Sequence, residues 1–426
     1  DFAFNKKYQI VKLGKILSKA NIEWVNIENS KQYPILGVRS QGQGVYLNRI
    51  ALGKELTMRK YQKSKAYHLF YCKVRTVKGQ WGIVYPEFED SYGSSNMQYL
   101  EIDLDNLVPE YLELLLKIKS LTDSWDKNAI GADGRHFNLG TLLNLKIPLP
   151  SLEVQKKIVK DYQEKLDLAV LQEKQAQNKE NEIEEYLYEE LGIKIPKKQE
   201  KNNSLLEFIN FKNINIWSYE QVNSNSNFSC DTDVKCDIST LDNMCIFKKK
   251  PFRKKEYAKD TFNYVDIGSI NSLTGITESK EIFLGKAPSR ATQYINTGDL
   301  IIATTRPYLK KFAIVNKEFD NDVCSSGFAI LEYNPTKYNL EFIKEFLQSF
   351  YGVEQLREKM TGGLYPAITS TELKTVKIPN PDIKIQDKIA LHIKTLKDDI
   401  KNLQEKSIKN KALSLKEFEK EIFNYD

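Results

Sequence analysis

No apolar run in this chain approaches the roughly 18 residues needed to cross a membrane, and no short apolar segment with a small-residue cleavage site opens it. These absences exclude the ordinary membrane-spanning and exported classes, and a soluble, cytoplasmic protein is expected. Cysteine and histidine are scarce as well. Cys72, Cys230, Cys236, Cys245 and Cys324 include no C-x-x-C pair, and their odd number argues against a disulfide framework. The 3 scattered histidines cannot complete a zinc cluster. Reduced cysteines and no structural metal are the expectation. The chain opens on Asp1 rather than methionine, which leaves room for a further segment upstream.

What is present suits folded domains. The 426 residues are 41% hydrophobic and 28% charged, enough for two or more packed units at about 100–200 residues each. The net charge of +6 is small but unevenly placed. Residues 1–90 hold 16 Lys+Arg against 7 Asp+Glu, and residues 246–317 hold 14 against 6, whereas residues 151–192 hold 6 against 11. Two basic blocks suggest a polyanion met at two places, because Lys and Arg gain affinity by displacing counterions from phosphates. Lysine-rich surfaces that only maintain solubility are the plainer alternative.

A repeat organises the sequence. Tyr33-Pro-Ile-Leu-Gly-Val matches Tyr264-Val-Asp-Ile-Gly-Ser at an offset of 231 (264 − 33). The same offset aligns Leu69-Phe-Tyr-Cys-Lys-Val-Arg75 with Leu300-Ile-Ile-Ala-Thr-Thr-Arg306, Ser94-Ser95 with Ser325-Ser326, Leu145-Lys-Ile-Pro148 with Val376-Lys-Ile-Pro379, and Gln155 with Gln386. Each copy reads as short strands rich in Ile, Val, Phe and Tyr, closed by an Ile-Pro-x-Pro segment that cannot continue as helix. Ser151 and Asp382 then stand where an N-cap is needed. Behind them, Leu152, Val154, Ile158, Tyr162, Leu166, Ala169 and Val170, and likewise Ile385, Ile389, Ile393, Leu396, Ile400 and Leu403, recur at helical spacing. Two long helices with narrow apolar stripes most simply bury each other as an antiparallel coiled-coil pair. The expected fold is therefore α+β, a tandem repeat with two similar domains separated by two long antiparallel helices. Its parts are 1–150, a spacer helix 151–192, a connector 193–216, 217–381, and a C-terminal spacer helix 382–426.

Globule, Ile-Pro-x-Pro, helix, written twice, resembles the DNA specificity subunit of type I restriction-modification systems. The motifs that carry the resemblance are Tyr264-Val-Asp-Ile-Gly-Ser269, Gly298-Asp-Leu-Ile-Ile-Ala-Thr-Thr-Arg306, Ser325-Ser-Gly-Phe328, and both Ile-Pro-x-Pro segments with a following Gln155 or Gln386. The first copy departs from the pattern. It has Ser94-Ser-Asn-Met97, and its Leu69 run lacks the preceding Gly-Asp. The resemblance implies two target recognition domains reading the halves of a bipartite double-stranded DNA site. It also implies helices that dock two methyltransferase subunits together with restriction and translocase subunits, in a prokaryotic cytoplasm. Catalysis then belongs to those partners, with S-adenosylmethionine, ATP and Mg bound there and no cofactor on this chain.

Catalytic motifs do not contradict this. An adenine methyltransferase needs an [Asn/Asp]-Pro-Pro-aromatic loop, but Asn334-Pro335-Thr336 and Asn380-Pro381-Asp382 lack the second proline and the aromatic. Gly42-Gln43-Gly44 is a lone G-x-G that fits a turn better than a cofactor loop, and no G-x-x-x-x-G-K-[ST] loop exists. Pro381-Asp382 with Asp399-Ile-Lys401 imitates a nuclease spacing. On a helix, however, Asp399 rises about 26 Å from Asp382, too far to share a metal.

Candidate DNA contacts follow from side-chain chemistry: arginine suits guanine edges, amides suit adenine, and lysine suits phosphates. In the first copy they are Arg39, Gln41, Gln43, Arg59, Lys60, Arg75, Arg135 and His136. In the second they are Lys254, Lys255, Arg290, Arg306, Lys310, Lys311 and Tyr365 in the Gly362-Gly-Leu-Tyr365 loop. Arg75 and Arg306 share a repeat position, as either a common phosphate contact or a common structural pair. Lys248 to Lys255 is either a phosphate-facing strip or an exposed turn. Two other readings are a recognition portion of a larger fused methyltransferase-endonuclease and a coiled-coil scaffold whose basic globules bind acidic proteins.

Overall fold

The structure is a computed structural model that describes residues 3–74, 78–125, 129, 136–194, 234–363 and 365–423. It divides into two compact units, Asp1–Gln172 with Glu405–Asp426, and Glu173–Gln404. From residue 195 onward the expected connector 193–216 lies outside the described residues, as do 217–233 and with them Cys230. Among the described residues no helix is long and apolar enough to cross a membrane.

The first unit runs β1 (Gln9–Lys12), β2 (Leu17–Lys19), β3 (Trp24–Asn26), β4 (Gln32–Val38), β5 (Val45–Leu52), β6 (Lys60–Lys63), β7 (His68–Cys72), β8 (Trp81–Ile83), β9 (Tyr92–Gly93) and β10 (Met97–Ile102). Then come α1 (Pro109–Lys117), α2 (Lys119–Trp125), α3 (Leu139–Asn144), β11 (Lys146–Leu149) and the first part of α4 (Leu152–Leu191). Strands β2-β10-β7-β8 form an antiparallel sheet, β3-β6-β9-β4-β5 a mixed one in which β4 and β9 are parallel, and β1-β11 a ribbon. Strand β7 is central, so its apolar run needs no alternation: Leu69, Phe70 and Tyr71 are all buried. Trp81, Tyr111 and Leu115 continue that core beneath α1.

The second unit runs β12 (Asp237–Thr240), α5 (Leu241–Met244), β13 (Cys245–Lys248), β14 (Thr261–Val265), β15 (Ile270–Asn271), β16 (Gly275–Ile276), β17 (Lys280–Phe283), β18 (Ala291–Tyr294), β19 (Leu300–Ala303), β20 (Phe312–Ile314), β21 (Val323–Ser325) and β22 (Phe328–Tyr333). It closes with α6 (Leu340–Gln348), α7 (Phe350–Glu358), α8 (Ser370–Lys374), β23 (Lys377–Asn380) and the first part of α9 (Ile383–Ile422), whose end from Glu405 belongs to the first unit. Its sheets β13-β22-β19-β20 and β17-β14-β21-β18 repeat the first unit's order without the edge strand β3. The 231 offset holds for whole elements: β8, β10, α1 and α4 map residue for residue onto β20, β22, α6 and α9 (312 − 81, 328 − 97, 340 − 109 and 383 − 152). Backbone conformations repeat too. Gly44 and Gly275 have φ 84° and 87°, and Asp90 and Asn321 have 62° and 63°. The glycine that the first copy lacks before its Leu69 run is replaced by Tyr67, which at φ 59° keeps the left-handed turn of Gly298.

In each unit the helices run antiparallel. In the first, Lys165 pairs with Glu417 and Gln172 Oε1 accepts a hydrogen bond from Asn410 at 2.9 Å. In the second, Lys179 pairs with Asp399 at 2.8 Å, and Tyr186 lies 3.9 Å from His392, ring to ring. This is the duplicated α+β architecture with long antiparallel helices that the repeat called for. Two stripe residues depart from expectation: Val170 is 58% exposed, beside Ala169 in the inward position, and Ile385, in the first turn of α9, is 38% exposed. Gly192, at φ 70°, ends α4, and the Ile193 N–H returns to the Tyr188 carbonyl at 2.8 Å.

One buried glutamine joins each globule to its helix, Gln155 in the first unit and Gln386 in the second. Gln155 Oε1 accepts from Val108 N–H at 2.8 Å, and its Nε2 donates to the carbonyls of Pro150 (2.8 Å) and Asn106 (3.0 Å). Gln386 Oε1 accepts from Asn339 N–H at 2.9 Å and its Nε2 donates to Pro381 O at 2.8 Å. Charge distinguishes the two junctions. In the second unit Lys397 binds Glu345 at 2.6 Å, with Lys344 3.3 Å from the same carboxylate, and all three side chains are nearly buried. The first unit has Leu114 and Leu166 at the positions of Glu345 and Lys397. Replacing Gln155 or Gln386 with Leu leaves a helix-start N–H and a strand carbonyl unsatisfied. We expect each change to lower the unfolding free energy by about 2–4 kcal/mol, against no more than about 0.5 kcal/mol for the exposed Gln163→Leu. Denaturant titration of the full chain measures it.

Candidate nucleic-acid interface

In the second unit, candidates gather on the hairpin between β19 and β20, whose tip is a 3-10 turn, Pro307–Leu309. Arg306 has φ 48° and ψ 54°, a left-handed conformation that costs of order 1 kcal/mol in a non-glycine residue. Its N–H donates to Pro366 O at 2.8 Å, and its guanidinium lies 4.9 Å from the Tyr365 ring centroid, a cation–π distance. Tyr365 is 67% exposed, so the stacked pair presents one face to solvent. Backbone bonds hold the neighbouring loops against this hairpin. Ile368 N donates to Thr304 O at 2.9 Å, Thr304 N to Gly327 O at 2.8 Å, and Ser326 N to Arg290 O at 2.7 Å. Arg290, Arg306 and Tyr365 thus stand on one cluster of loops.

The lysines of this unit divide. Lys254 Nζ donates to the carbonyls of Ala287 at 3.0 Å and Pro288 at 2.7 Å, and Lys311 Nζ to the carbonyl of Ile270. Both ammonium groups fasten loops of their own domain. Lys255 is exposed, and Lys310, left-handed at φ 56°, offers its carbonyl to Gln348 Nε2 at 3.0 Å.

The first unit builds its cluster on the equivalent hairpin, between β7 and β8. The loop that carries Arg39, Gln41 and Gln43 is fastened to it by Gln41 N to Lys78 O at 2.9 Å and Gly42 N to Gly79 O at 2.8 Å. A Cβ on Gly42 would lie 2.5 Å from Leu116 O, so the lone G-x-G is a tight turn packed on α1. Arg39 lies 5.0 Å from the Tyr46 ring centroid, and Arg39, Gln41 and Gln43 are all exposed. Arg59 and Lys60, also exposed, stand at the start of β6, where Met58 Sδ accepts from Ser95 Oγ at 3.5 Å. His136 is half-buried and lines a cavity of about 380 Å³ with Tyr71, Lys73, Val74 and Gln98. Behind the hairpin, burial holds the His68 imidazole below its ordinary value. Arg75 and Arg135 lie outside the described residues.

Sequence reasoning passed over Lys73, Lys78 and Gln98, which line or adjoin the same hairpin. Lys73, within the repeated Leu69–Arg75 segment, and Lys78, just beyond it, were detectable. Gln98 was not, because only its place on β10 beside Tyr71 brings it to the cavity.

Two copies of one module, each gathering cationic and aromatic or amide side chains in the loops at the equivalent hairpin, define a tandem loop-presenting protein. The family model for the type I restriction modification DNA specificity domain matches residues 5–185 and again 234–410. The chain belongs to this family, a non-catalytic one. The specificity subunit of the type I restriction enzyme HindI from Haemophilus influenzae is 29% identical over 115 residues, 26% of this chain, and the match spans only 25% of that subunit. Among solved structures, one from work on complex assembly and conformational transition of the type I R-M system has a TM-score of 0.61 at 15% identity, covering 99% of both chains. The HsdS subunit from Thermoanaerobacter tengcongensis gives 0.50 at 15%, covering 98% of this chain and 96% of that one. The S subunit from M. genitalium gives 0.50 at 13%, covering 99% and 98%. At such identities the likeness is one of fold.

The divided roles of neighbouring lysines give a direct check. Lys254→Met should lower the unfolding free energy by about 1 kcal/mol through two lost carbonyl bonds, while Lys255→Met leaves it within about 0.5 kcal/mol. Thermal melts of both variants compare them.

Proposed function

We propose that this chain is the subunit of a type I restriction-modification complex that selects its DNA. Each domain reads one half of a bipartite duplex site, and the paired helices set the distance between the halves. The observation that carries this reading is a shared frame with unlike loops. Sheet order, hairpin register and the glutamine junction recur at a fixed offset, whereas the loop residues differ, Arg39, Gln41 and Gln43 in one copy standing where the other has Ile270, Ser272 and Thr274. Two different half-sites on one uniform backbone call for that combination. Arg39, Gln41, Gln43, Arg59, Lys60, Arg75, Arg135, His136, Lys255, Arg290, Arg306, Lys310 and Tyr365 are proposed to face the duplex. Lys254 and Lys311 are proposed to act at one remove, by shaping the loops.

Docking of two methyltransferase subunits, and of restriction subunits through them, is proposed on the long helices. In the first unit Leu168, Leu171 and Ile408 are 45%, 50% and 67% exposed, and a groove of about 620 Å³ runs by Ala412, Leu415 and Lys416. Apolar surface on a slender helix pair fits the apolar face of a partner helix. S-adenosylmethionine, ATP and Mg are proposed to be bound by those partners.

Half-sites about one duplex turn apart, roughly 34 Å, need a rigid spacer, and a 40-residue helix rises about 60 Å. Removing one heptad from both helices in register should shorten the spacer in the methylated sequence and leave the flanking bases unchanged. Methylation mapping in cells that returns the parental spacer would remove the helices from this role. In a second expected outcome, Leu168→Asp with Ile408→Asp abolishes co-purification with the methyltransferase while duplex binding by the isolated chain persists.

A further inference from the structure

Two domains that read different bases still rest on the same sugar-phosphate backbone. A residue kept in both copies is therefore either structural or in contact with what the half-sites share. The repeat can be sorted on that criterion. Gln62 and Gln293 are one kept pair, and their amides do the same thing. Gln62 Nε2 donates to Met97 O at 3.0 Å and Gln293 Nε2 to Phe328 O at 3.2 Å. Gln155 and Gln386 are another, already accounted for. Arg59 and Arg290 stand at one repeat position as well (290 − 59 = 231), each next before a strand of identical register, β6 or β18. Both are exposed, and among the described residues neither guanidinium makes a hydrogen bond or an ion pair. The main chain around them is fixed. Arg59 O accepts from Ile27 N at 2.9 Å, and Arg290 O from Ser326 N at 2.7 Å. Each arginine thus projects from a rigid strand end beside the Ser94-Ser95 or Ser325-Ser326 turn, in the same loop cluster as the other candidates.

An arginine kept in both copies without a hydrogen bond or ion pair among the described residues is hard to explain by folding. We propose that Arg59 and Arg290 are equivalent backbone clamps, each holding a phosphate of its half-site and setting the register in which the variable loops meet the bases. The assignment rests on the DNA-reading function proposed above and deepens it: these two residues carry affinity without sequence information. Arginine suits that role because its planar fork binds phosphate oxygens through two donors and stays charged at every relevant pH.

The test is a salt titration of the full chain on two fluorescent duplexes, one with the methylated target and one scrambled. Arg59→Ala and Arg290→Ala should each weaken binding to both duplexes by the same factor, about 3–10-fold, and reduce the slope of log K against log salt by about 0.9. The double variant should lose about 1.8, and Arg→Lys at either position should restore most of the slope. Unchanged thermal melts separate this from unfolding. A slope that does not move, or a loss confined to the target duplex, overturns the clamp assignment while wild-type binding leaves the DNA-reading function intact. Absence of any duplex binding by the wild-type chain overturns that function and this assignment with it.

Discussion

The glutamine at the junction of globule and helix governs everything beyond it. An Ile-Pro-x-Pro strand ends in prolines that cannot donate, so the chain there has carbonyls in excess of N–H groups. At the same place α1 or α6 begins and has N–H groups in excess of carbonyls. A single buried amide supplies both deficits, accepting from Val108 or Asn339 and donating to Pro150 or Pro381. Because the glutamine belongs to the first turn of the long helix, its side chain fixes that helix to the globule at one angle. The same bonds recur in both copies, so each globule passes into its helix through the same bonded corner.

Around this corner the two units show what duplication preserves and what it releases. Backbone geometry is preserved even where side chains change: Tyr67 keeps the left-handed turn of Gly298, and Gly79 at φ 66° keeps that of Lys310 at 56°. Conformations of this kind cost a non-glycine residue about 1 kcal/mol or more, so their retention reflects demands of the hairpin that carries the candidate arginines. The loops between the preserved points differ freely, since they run over the surface and owe the core little.

Much of this was legible in the sequence because the relevant signals are periodic or repeated. The offset of 231 needed no structure, and it located strands, the Ile-Pro-x-Pro corners and both 40-residue helices. The surface was less legible. Lys254 and Lys255 are adjacent and chemically alike, yet one closes a loop by binding two carbonyls and the other is exposed, because a 3-10 turn directs them apart. Lys311 and Lys310 differ too: the Lys311 ammonium binds the Ile270 carbonyl, while Lys310 contributes its own carbonyl to Gln348. Val170 belongs to an apolar pattern but faces water, since a narrow two-helix seam has room for Ala169 and not for its neighbour. In each case direction, which composition does not encode, decided the outcome.

The ionic junction of the second unit limits how far the domains are interchangeable. Glu345 is 5% exposed and owes its tolerance to Lys344 beside it and to Lys397, a residue of the C-terminal helix, so part of its compensation is matched to that helix. Grafted onto the central helix, the same globule would bury its carboxylate against Leu166 with Lys344 as its one remaining partner, a loss of charge compensation that destabilises a buried site. A chimaera made by trading globules between halves therefore folds well only if the exchange carries the matching face of the strut along with it.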